Sequence, residues 1–302
     1  MSPMFKHILV PLDGSNLSEA SLTPAAILAE KFKAPVTLLH VIEQDAPSEV
    51  HADRHLTEPD EALEYLEDIA KRAFPPKVKL TTHVHTAPVS DITRSIVEHV
   101  TTEFQTDLIV ICTHGKSGIR DALFGNIAQQ IAAQGKTPLL IVKPVSPRFK
   151  LEKILMPLDP DSAHDYSFPF AKSLAQAFKA ELHLLSVIPT FGTLAGEQAA
   201  AGSLMPVTTQ AFLDMKEENA RQDLQEHVDI LQKNGLIASV EIARGDPASV
   251  IIKTAEHTDM DLIILSTHRR KGMGAFWARS VAPKVAQKTK LPLLLIPLSQ
   301  NE

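Results

Sequence analysis

The chain has 302 residues, 44% of them hydrophobic and 22% charged, with a formal net charge of −6. That length calls for roughly two domains, and interspersed charge of net acidic sign excludes the broad basic face that binds nucleic acid. A single cysteine, Cys112, excludes an internal disulfide and a cysteine-rich zinc centre and fits a reducing compartment, so a cytoplasmic protein is expected.

Phe5–Leu12 is a short apolar run closed by Asp13-Gly14-Ser15, which predicts a strand and a turn. Pro11 cannot donate a ladder hydrogen bond and so belongs near the strand's end. From Leu17 to Phe32 the apolar residues recur at helical spacing, with Asn16 or Ser18 as N-cap. Val36–Ile42 is a second strand, Glu43–Thr57 a polar irregular stretch, and Glu58–Phe74 a helix stopped by Pro75-Pro76. A strand over Val78–Val84 and a helix over Ile92–Phe104, capped by Asp91, follow. Leu108–Cys112 is a buried strand that runs into a glycine-bearing loop, a helix starts near Gly125, and Pro138 opens a last apolar strand to Val142. Strands alternating with helices predict a parallel, doubly wound α/β domain of five strands. The start lacks a secretory apolar core and no run approaches the ~18 apolar residues of a membrane span, so neither export nor a membrane partner is expected.

The second half repeats this order. L-E-K-I-L-M-P-L-D at 151–159 answers F-K-H-I-L-V-P-L-D at 5–13, an offset of 146, whereas D-L-I-I-L-S-T-H at 261–268 answers D-L-I-V-I-C-T-H at 107–114, an offset of 154. The eight extra residues are expected within Pro189–Asn234, ahead of or within a long helix of about Thr208–Lys233 that Gly235 ends. A period this long marks a duplicated domain rather than a solenoid. Two tandem domains, 1–146 and 147–302, are expected, with the joint near Pro144–Phe149.

In an open parallel sheet, ligands sit beyond the carboxyl ends of the strands. Asp13, the residues after Ile42 and the Thr113–Gly125 loop all fall at such ends. Gly115, Gly118 and Gly125 permit close backbone approach, His114 and Lys116 add donors or charge, and Asn126 offers an amide where the helix begins, a position that favours an anion. The glycines alone fit either a phosphate cradle or ordinary turns. Gly115-Lys116-Ser117 and Gly135-Lys136-Thr137 imitate the end of a P-loop, but that motif needs a glycine where Val110 and Gln130 stand.

The pairing of V-P-L-D-G-S with T-H-G-K-S-G…G-N, a helix and T-P-L-L-I-V resembles the universal stress protein (UspA) family, in two copies over essentially the whole chain. The resemblance implies an adenine nucleotide alpha hydrolase-like fold. In the family's nucleotide-binding branch it also implies a G-x2-G-x9-G-[ST] loop around the phosphates of ATP. Carried over, Asp13 takes the family aspartate, with Pro11 beside it, and Val41 a residue lining the adenine pocket. Gly115 and Gly125 take the second and third glycines, while Cys112 stands in place of the first and Asn126 in place of Ser or Thr. In the second copy Asp159 and Val187 match Asp13 and Val41, but Ser266, Arg269 and Arg279 occupy the glycine positions and only Ser280 keeps the terminal pattern. Arginine where backbone must meet phosphate obstructs that mode. One ATP per chain, with Mg²⁺ and in the first domain, is therefore expected, and none in the second.

Other residues carry less. His83 and His85 lie two apart on a strand face and His51 and His55 four apart near a loop, but no third ligand of matching placement is readable, so strand packing or solvated loops account for them and no metal is assigned. His268-Arg269-Arg270-Lys271 fits salt bridges or a solvated face, or an anion other than nucleotide. Phe276 and Trp277 read as packing residues. Cys112 beside His114 is a thin case for a reactive thiol against a small buried residue. The expected function is a stress-response regulatory module binding ATP in its first domain, with an unidentified protein partner. Its tandem copies would pack as an intramolecular pseudo-dimer through Leu139–Val142 and Leu293–Ile296, with a further homodimer open. The alternatives are a nucleotide-independent interaction protein and a slow ATP hydrolase or phosphotransferase; Asp13 is the only carboxylate placed near the loop, and no catalytic residue is assigned.

Overall fold

The computed structural model describes residues 4–50, 53–113, 126–134, 136–144, 149–158, 167–194, 196–267 and 281–297. They form two compact units, one made of the first half together with the segment from Thr267 onward and the other of Lys150–Ser266.

In the first unit the strands are β1 (Ile8–Pro11), β2 (Val36–Glu43), a short hairpin β3–β4 (Glu49–Val50, Asp53–Arg54), β5 (Leu80–Val89), β6 (Leu108–Cys112) and β7 (Leu139–Val142). The principal helices are α1 (Leu22–Phe32), α2 (Pro59–Ala73), α3 (Ile92–Glu98) and α4 (Asn126–Gln134). The main sheet orders β7-β6-β1-β2-β5 with every pair parallel. Ile8, Leu9, Leu38, Leu39, Leu108 and Ile109 are fully buried, as the unbroken apolar runs of a parallel sheet covered on both faces require. β5 is the edge strand, half-exposed along its length, and it accommodates Pro88 where no neighbour needs the missing N–H.

The second unit contains β8 (Lys153–Leu158), α5 (Phe168–Phe178), β9 (Glu181–Ile188), α6 (Glu197–Leu204), α7 (Pro206–Lys233), β10 (Ala238–Arg244), α8 (Pro247–His257) and β11 (Leu262–Thr267), with its sheet ordered β10-β9-β8-β11. The duplication extends to register and caps. Ile8 faces Val36 and Leu108, as Ile154 faces Leu182 and Leu262. α1 ends on Lys33 in the left-handed region and α5 ends on Lys179 in the same way. Asp91 caps α3 by accepting from Arg94 N, as Asp246 caps α8 by accepting from Ser249 N. α9 (Val281–Lys288) and β12 (Leu293–Pro297) close the chain, and β12 pairs antiparallel with β7, Leu294 facing Leu140. These are the two edge segments the sequence singles out for contact between copies.

Three elements differ from the sequence reading. The polar stretch after β2 holds the β3–β4 hairpin, fixed to the start of the fold by Asp53, whose carboxylate accepts from Asn16 N at 2.8 Å and Asn16 Nδ2 at 3.1 Å. The helix expected to run unbroken to Phe104 changes at His99 into a π-helical turn, His99–Glu103. The insertion of the second copy forms α6 and lengthens α7; Leu194 and Leu213 pack against Ile188 at the carboxyl end of β9, so this segment covers that end of its own sheet.

Candidate functional site

The carboxyl ends of β1, β2 and β6 open onto a cavity of about 400 Å³ in the first unit, within the ~300–1,000 Å³ range of small-ligand sites. Pro11 and Asp13 come from β1 and its turn, Val41 and Glu43 from β2, Cys112 and Thr113 from β6, Ile92 and Ile96 from α3, and Ile127 and Ala128 from the first turn of α4. Val50 and His55, from the hairpin and the residue after it, close another side. Its lining is mostly aliphatic, with Asp13, Ser18, His40, Glu43, His55 and Thr113 as its polar groups.

The turn after β1 is held rigidly. Asp13 Oδ1 accepts from Ser15 N at 2.9 Å and from Ser15 Oγ at 2.6 Å, an Asx turn. Gly14 has φ +87°, and a Cβ there would lie 2.8 Å from Leu56 Cγ and Cδ1, so the position takes glycine on both conformational and steric grounds. Below it, buried His40 places Nδ1 2.8 Å from Leu12 O and Nε2 3.0 Å from Leu56 O. Both partners can only accept, so the neutral ring satisfies one and the charged ring both. Burial nevertheless lowers the pKa of His40, outweighing the two carbonyls and Asp13, which favour the charged form. His55 is 7% exposed and its Nδ1 has no hydrogen-bond partner among the described residues, while its Nε2 lies 3.9 Å from Glu43 Oε2. A buried orphan nitrogen at a cavity wall is the kind of group a ligand satisfies.

Behind β6, the 5%-exposed Lys143 donates to Thr113 Oγ1 at 3.1 Å. Burial lowers its pKa, opposed by Cys112. Burial pushes the Cys112 thiol up to about 12, with Asp13 adding to the shift and Lys143 opposing it. Cys112 is thus a small wall residue rather than a nucleophile. At mildly alkaline pH iodoacetamide is expected to modify native Cys112 slowly and the urea-unfolded chain rapidly, followed by mass spectrometry; labelling equally fast in both states would contradict the shift.

Of the residues read from the sequence, Pro11, Asp13, Val41 and Cys112 meet in this one cavity, and Asn126 opens α4 at its border. His114, Gly115, Lys116, Gly118 and Gly125 lie outside the described residues, as do Asp159, Arg269, Arg279 and Ser280 of the second copy, His51, the basic run from His268 to Lys271, Phe276 and Trp277. Val187 sits on β9 with 8% exposure, the same as Val41 on β2. The sequence reading left His55 as a solvated loop histidine, whereas the structure buries it at the cavity wall, and it missed Val50 and Lys143. The first two lie in or beside a polar stretch without periodicity, and Lys143 follows an apolar strand where a lysine ordinarily reaches solvent.

A domain of parallel strands and helices that occurs twice, with a crevice over the carboxyl ends of its strands in the first copy, defines a tandem doubly wound α/β protein. The profile of the universal stress protein family matches residues 4–143 and again 150–297. The chain belongs to that family. It is 27% identical over 145 residues to the universal stress protein MJ0531 of Methanocaldococcus jannaschii, a match spanning 46% of this chain and 83% of that one. It is 26% identical to the universal stress protein YxiE of Bacillus subtilis, over 46% of this chain and 100% of the relative. Over 99% of this chain and 98% of the other, the fold is that of a universal stress protein from Archaeoglobus fulgidus, with a TM-score of 0.73 at 17% identity.

Proposed function

We propose that the first domain, residues 1–146, binds one adenine nucleotide, ATP with Mg²⁺ on its phosphates, and that the chain is a cytoplasmic stress-response regulatory module responding to that ligand. The observation that carries this is the cavity at the ends of β1, β2 and β6, with its largely aliphatic lining, its rigid Asp13 turn and Ile127 and Ala128 of α4 in its wall. A flat base fits between Val41 and the isoleucines of α3, and Asp13 suits ribose hydroxyls. The N–H groups of the first turn of α4 favour phosphate oxygens, whose charge Mg²⁺ would neutralise. His55 Nδ1 supplies a further unmet polar contact. The two family matches leave 144–149 between them, which supports the joint there. The β7–β12 pairing supports reading the copies as an intramolecular pseudo-dimer. Nucleotide acts on an unidentified protein partner by a population shift, which requires different affinities for two states of the module.

Denaturing the purified protein and chromatographing the supernatant tests this directly, together with a thermal shift on adding Mg-ATP. Adenine nucleotide in the extract or a clear rise in melting temperature is expected. Neither appearing would favour a nucleotide-independent interaction protein. Steady ADP release that Asp13→Ala abolishes would instead indicate a slow hydrolase.

A further inference from the structure

Outside the residues that line the cavity, His83 of edge strand β5 meets the π-helical turn that follows α3. His83 Nε2 lies 3.2 Å from His99 Nε2, Glu103 Oε2 lies 3.4 Å from His99 Nε2, and Glu103 Oε1 lies 3.6 Å from His83 Nδ1. Ligand atoms of these three residues all fall within 4.8 Å of one another. Donors around a tetrahedral zinc, each about 2.0–2.1 Å from the metal, stand roughly 3.3 Å apart. The 3.2 Å and 3.4 Å spacings about His99 Nε2 match that, and with one nitrogen taken from His83 the third spacing closes within 4.8 Å, a distance a small side-chain shift brings to the metal.

The protonation pattern is also that of a ligand set. His99 Nδ1 is 2.7 Å from Ser95 O, a carbonyl that can only accept, so Nδ1 carries the proton and the lone pair of the neutral ring is on Nε2, aimed at His83 and Glu103. A ring N–H given to a backbone carbonyl is the usual device that orients a metal-bound histidine. His99 is 7% exposed, so that orientation is fixed by packing. Phe104 walls the group, its ring 5.3 Å from that of His83 and 6.1 Å from that of His99. His85 stands next to it, with its ring 5.0 Å from that of His99.

The duplicated copy supplies an internal comparison. His83 faces Leu39 on β2, and the corresponding position, facing Leu185 on β9, is Glu241. Counting from the matched caps Asp91 and Asp246, His99 corresponds to Thr254, and because Phe104 ends the π-turn as Thr258 ends α8, Glu103 corresponds to His257; there Thr254 Oγ1 simply donates to Glu241 Oε1 at 3.3 Å. Asp107 lies 16 residues beyond Asp91, whereas Asp261 lies 15 beyond Asp246, so the first copy has one residue more in this segment, which is the length a π-turn absorbs. Such single-residue insertions in helices are frequent at functional sites. This one brings Glu103 against His99.

We propose that His83, His99 and Glu103 form a binding site, present in the first copy alone, for a divalent transition cation of the zinc class. Two imidazoles and one carboxylate suit Zn²⁺ and its spectroscopic substitute Co²⁺, and they are poor ligands for Ca²⁺ or Mg²⁺, which prefer all-oxygen shells. Bound metal clamps the edge strand β5 to the end of α3 and so stabilises the first unit.

The test uses the full chain stripped with chelator and dialysed. Titration with Co²⁺ is expected to give one equivalent with the strong visible bands of a four-coordinate ion, displaced by Zn²⁺, and Zn²⁺ is expected to raise the melting temperature. His83→Gln and Glu103→Gln, both on the more exposed side of the group, should each weaken Co²⁺ binding by about ten- to a hundredfold or more and remove the thermal shift. His183→Gln, in the second copy, should leave both unchanged. Because the chain carries 13 histidines, binding that survives both His83→Gln and Glu103→Gln would assign the metal elsewhere and overturn the proposal, as would six-coordinate spectra or no saturable binding. Circular dichroism of each variant separates a lost ligand from a lost fold.

Discussion

Val41→Trp is expected to abolish the thermal shift with Mg-ATP and the binding measured by equilibrium dialysis, while the protein stays folded. Val41 lies on β2 and lines the cavity together with Ile92 and Ile96 of α3 and Ile127 of α4. An indole at this position projects into a space of about 400 Å³ instead of into packed core. The ~1–3 kcal/mol cost of overpacking is therefore largely avoided, and the indole takes the place proposed for the base. The matched substitution Val187→Trp, at the same exposure on β9, is expected to leave nucleotide binding untouched, because the second copy carries Arg269 and Arg279 where the first carries glycines. Binding that survives Val41→Trp would place the ligand outside this cavity. Two nucleotides per chain, one lost with each substitution, would mean that the arginines of the second copy do not obstruct phosphate.

The apolar runs and their punctuation made the fold legible before any coordinates. Ile8–Pro11, Val36–Glu43 and Leu108–Cys112 are strands because they are buried on both faces, and Asp91 caps α3 because an aspartate before an apolar-periodic run satisfies free N–H groups. The cavity was half legible. Asp13 follows from a strand end, which period and topology fix, whereas Pro11, Val41 and Cys112 come from the resemblance to the family. His55 and Val50 reach the site through a two-residue hairpin whose position depends on Asp53 meeting Asn16 across 37 positions of sequence, and no local pattern carries such a contact. The His83–His99–Glu103 group was illegible for a related reason. The i, i+2 pair on β5 is visible in sequence, but its partners sit on a helix whose phase changes at a one-residue insertion. Only comparison with the uninterrupted α8 exposes that change.

Asp107→Ala and Asp261→Ala are each expected to lower unfolding free energy by about 2–4 kcal/mol, since a hydrogen bond to a charged group contributes ~1.5–3 kcal/mol and its loss strands the donors. Asp107 accepts from Lys6 N at 2.8 Å and from His7 N at 3.0 Å, immediately before β1, and its own N–H donates to His7 O at 3.1 Å. Asp261 repeats the arrangement, accepting from Glu152 N and Lys153 N at 2.9 Å each and donating to Lys153 O at 2.9 Å. The β1–β6 and β8–β11 ladders each register only two residue pairs, so these carboxylates, rather than long ladders, fix where the central strands of each copy begin. That is the physical content of the aspartate that opens both D-L-I runs. Asp261 is 8% exposed while Asp107 is half-buried, so water replaces the lost acceptor less well in the second copy and the larger loss is expected for Asp261→Ala. The double variant should lose the sum of the two, because the carboxylates share no partner. Asp107→Asn keeps one neutral acceptor and should fall about halfway between wild type and Asp107→Ala. Urea unfolding followed by circular dichroism reads these differences as midpoint shifts at constant slope. A loss from Asp107→Asn equal to that from Asp107→Ala would mean that two full acceptors, not merely one, are needed to hold the start of β1 in place.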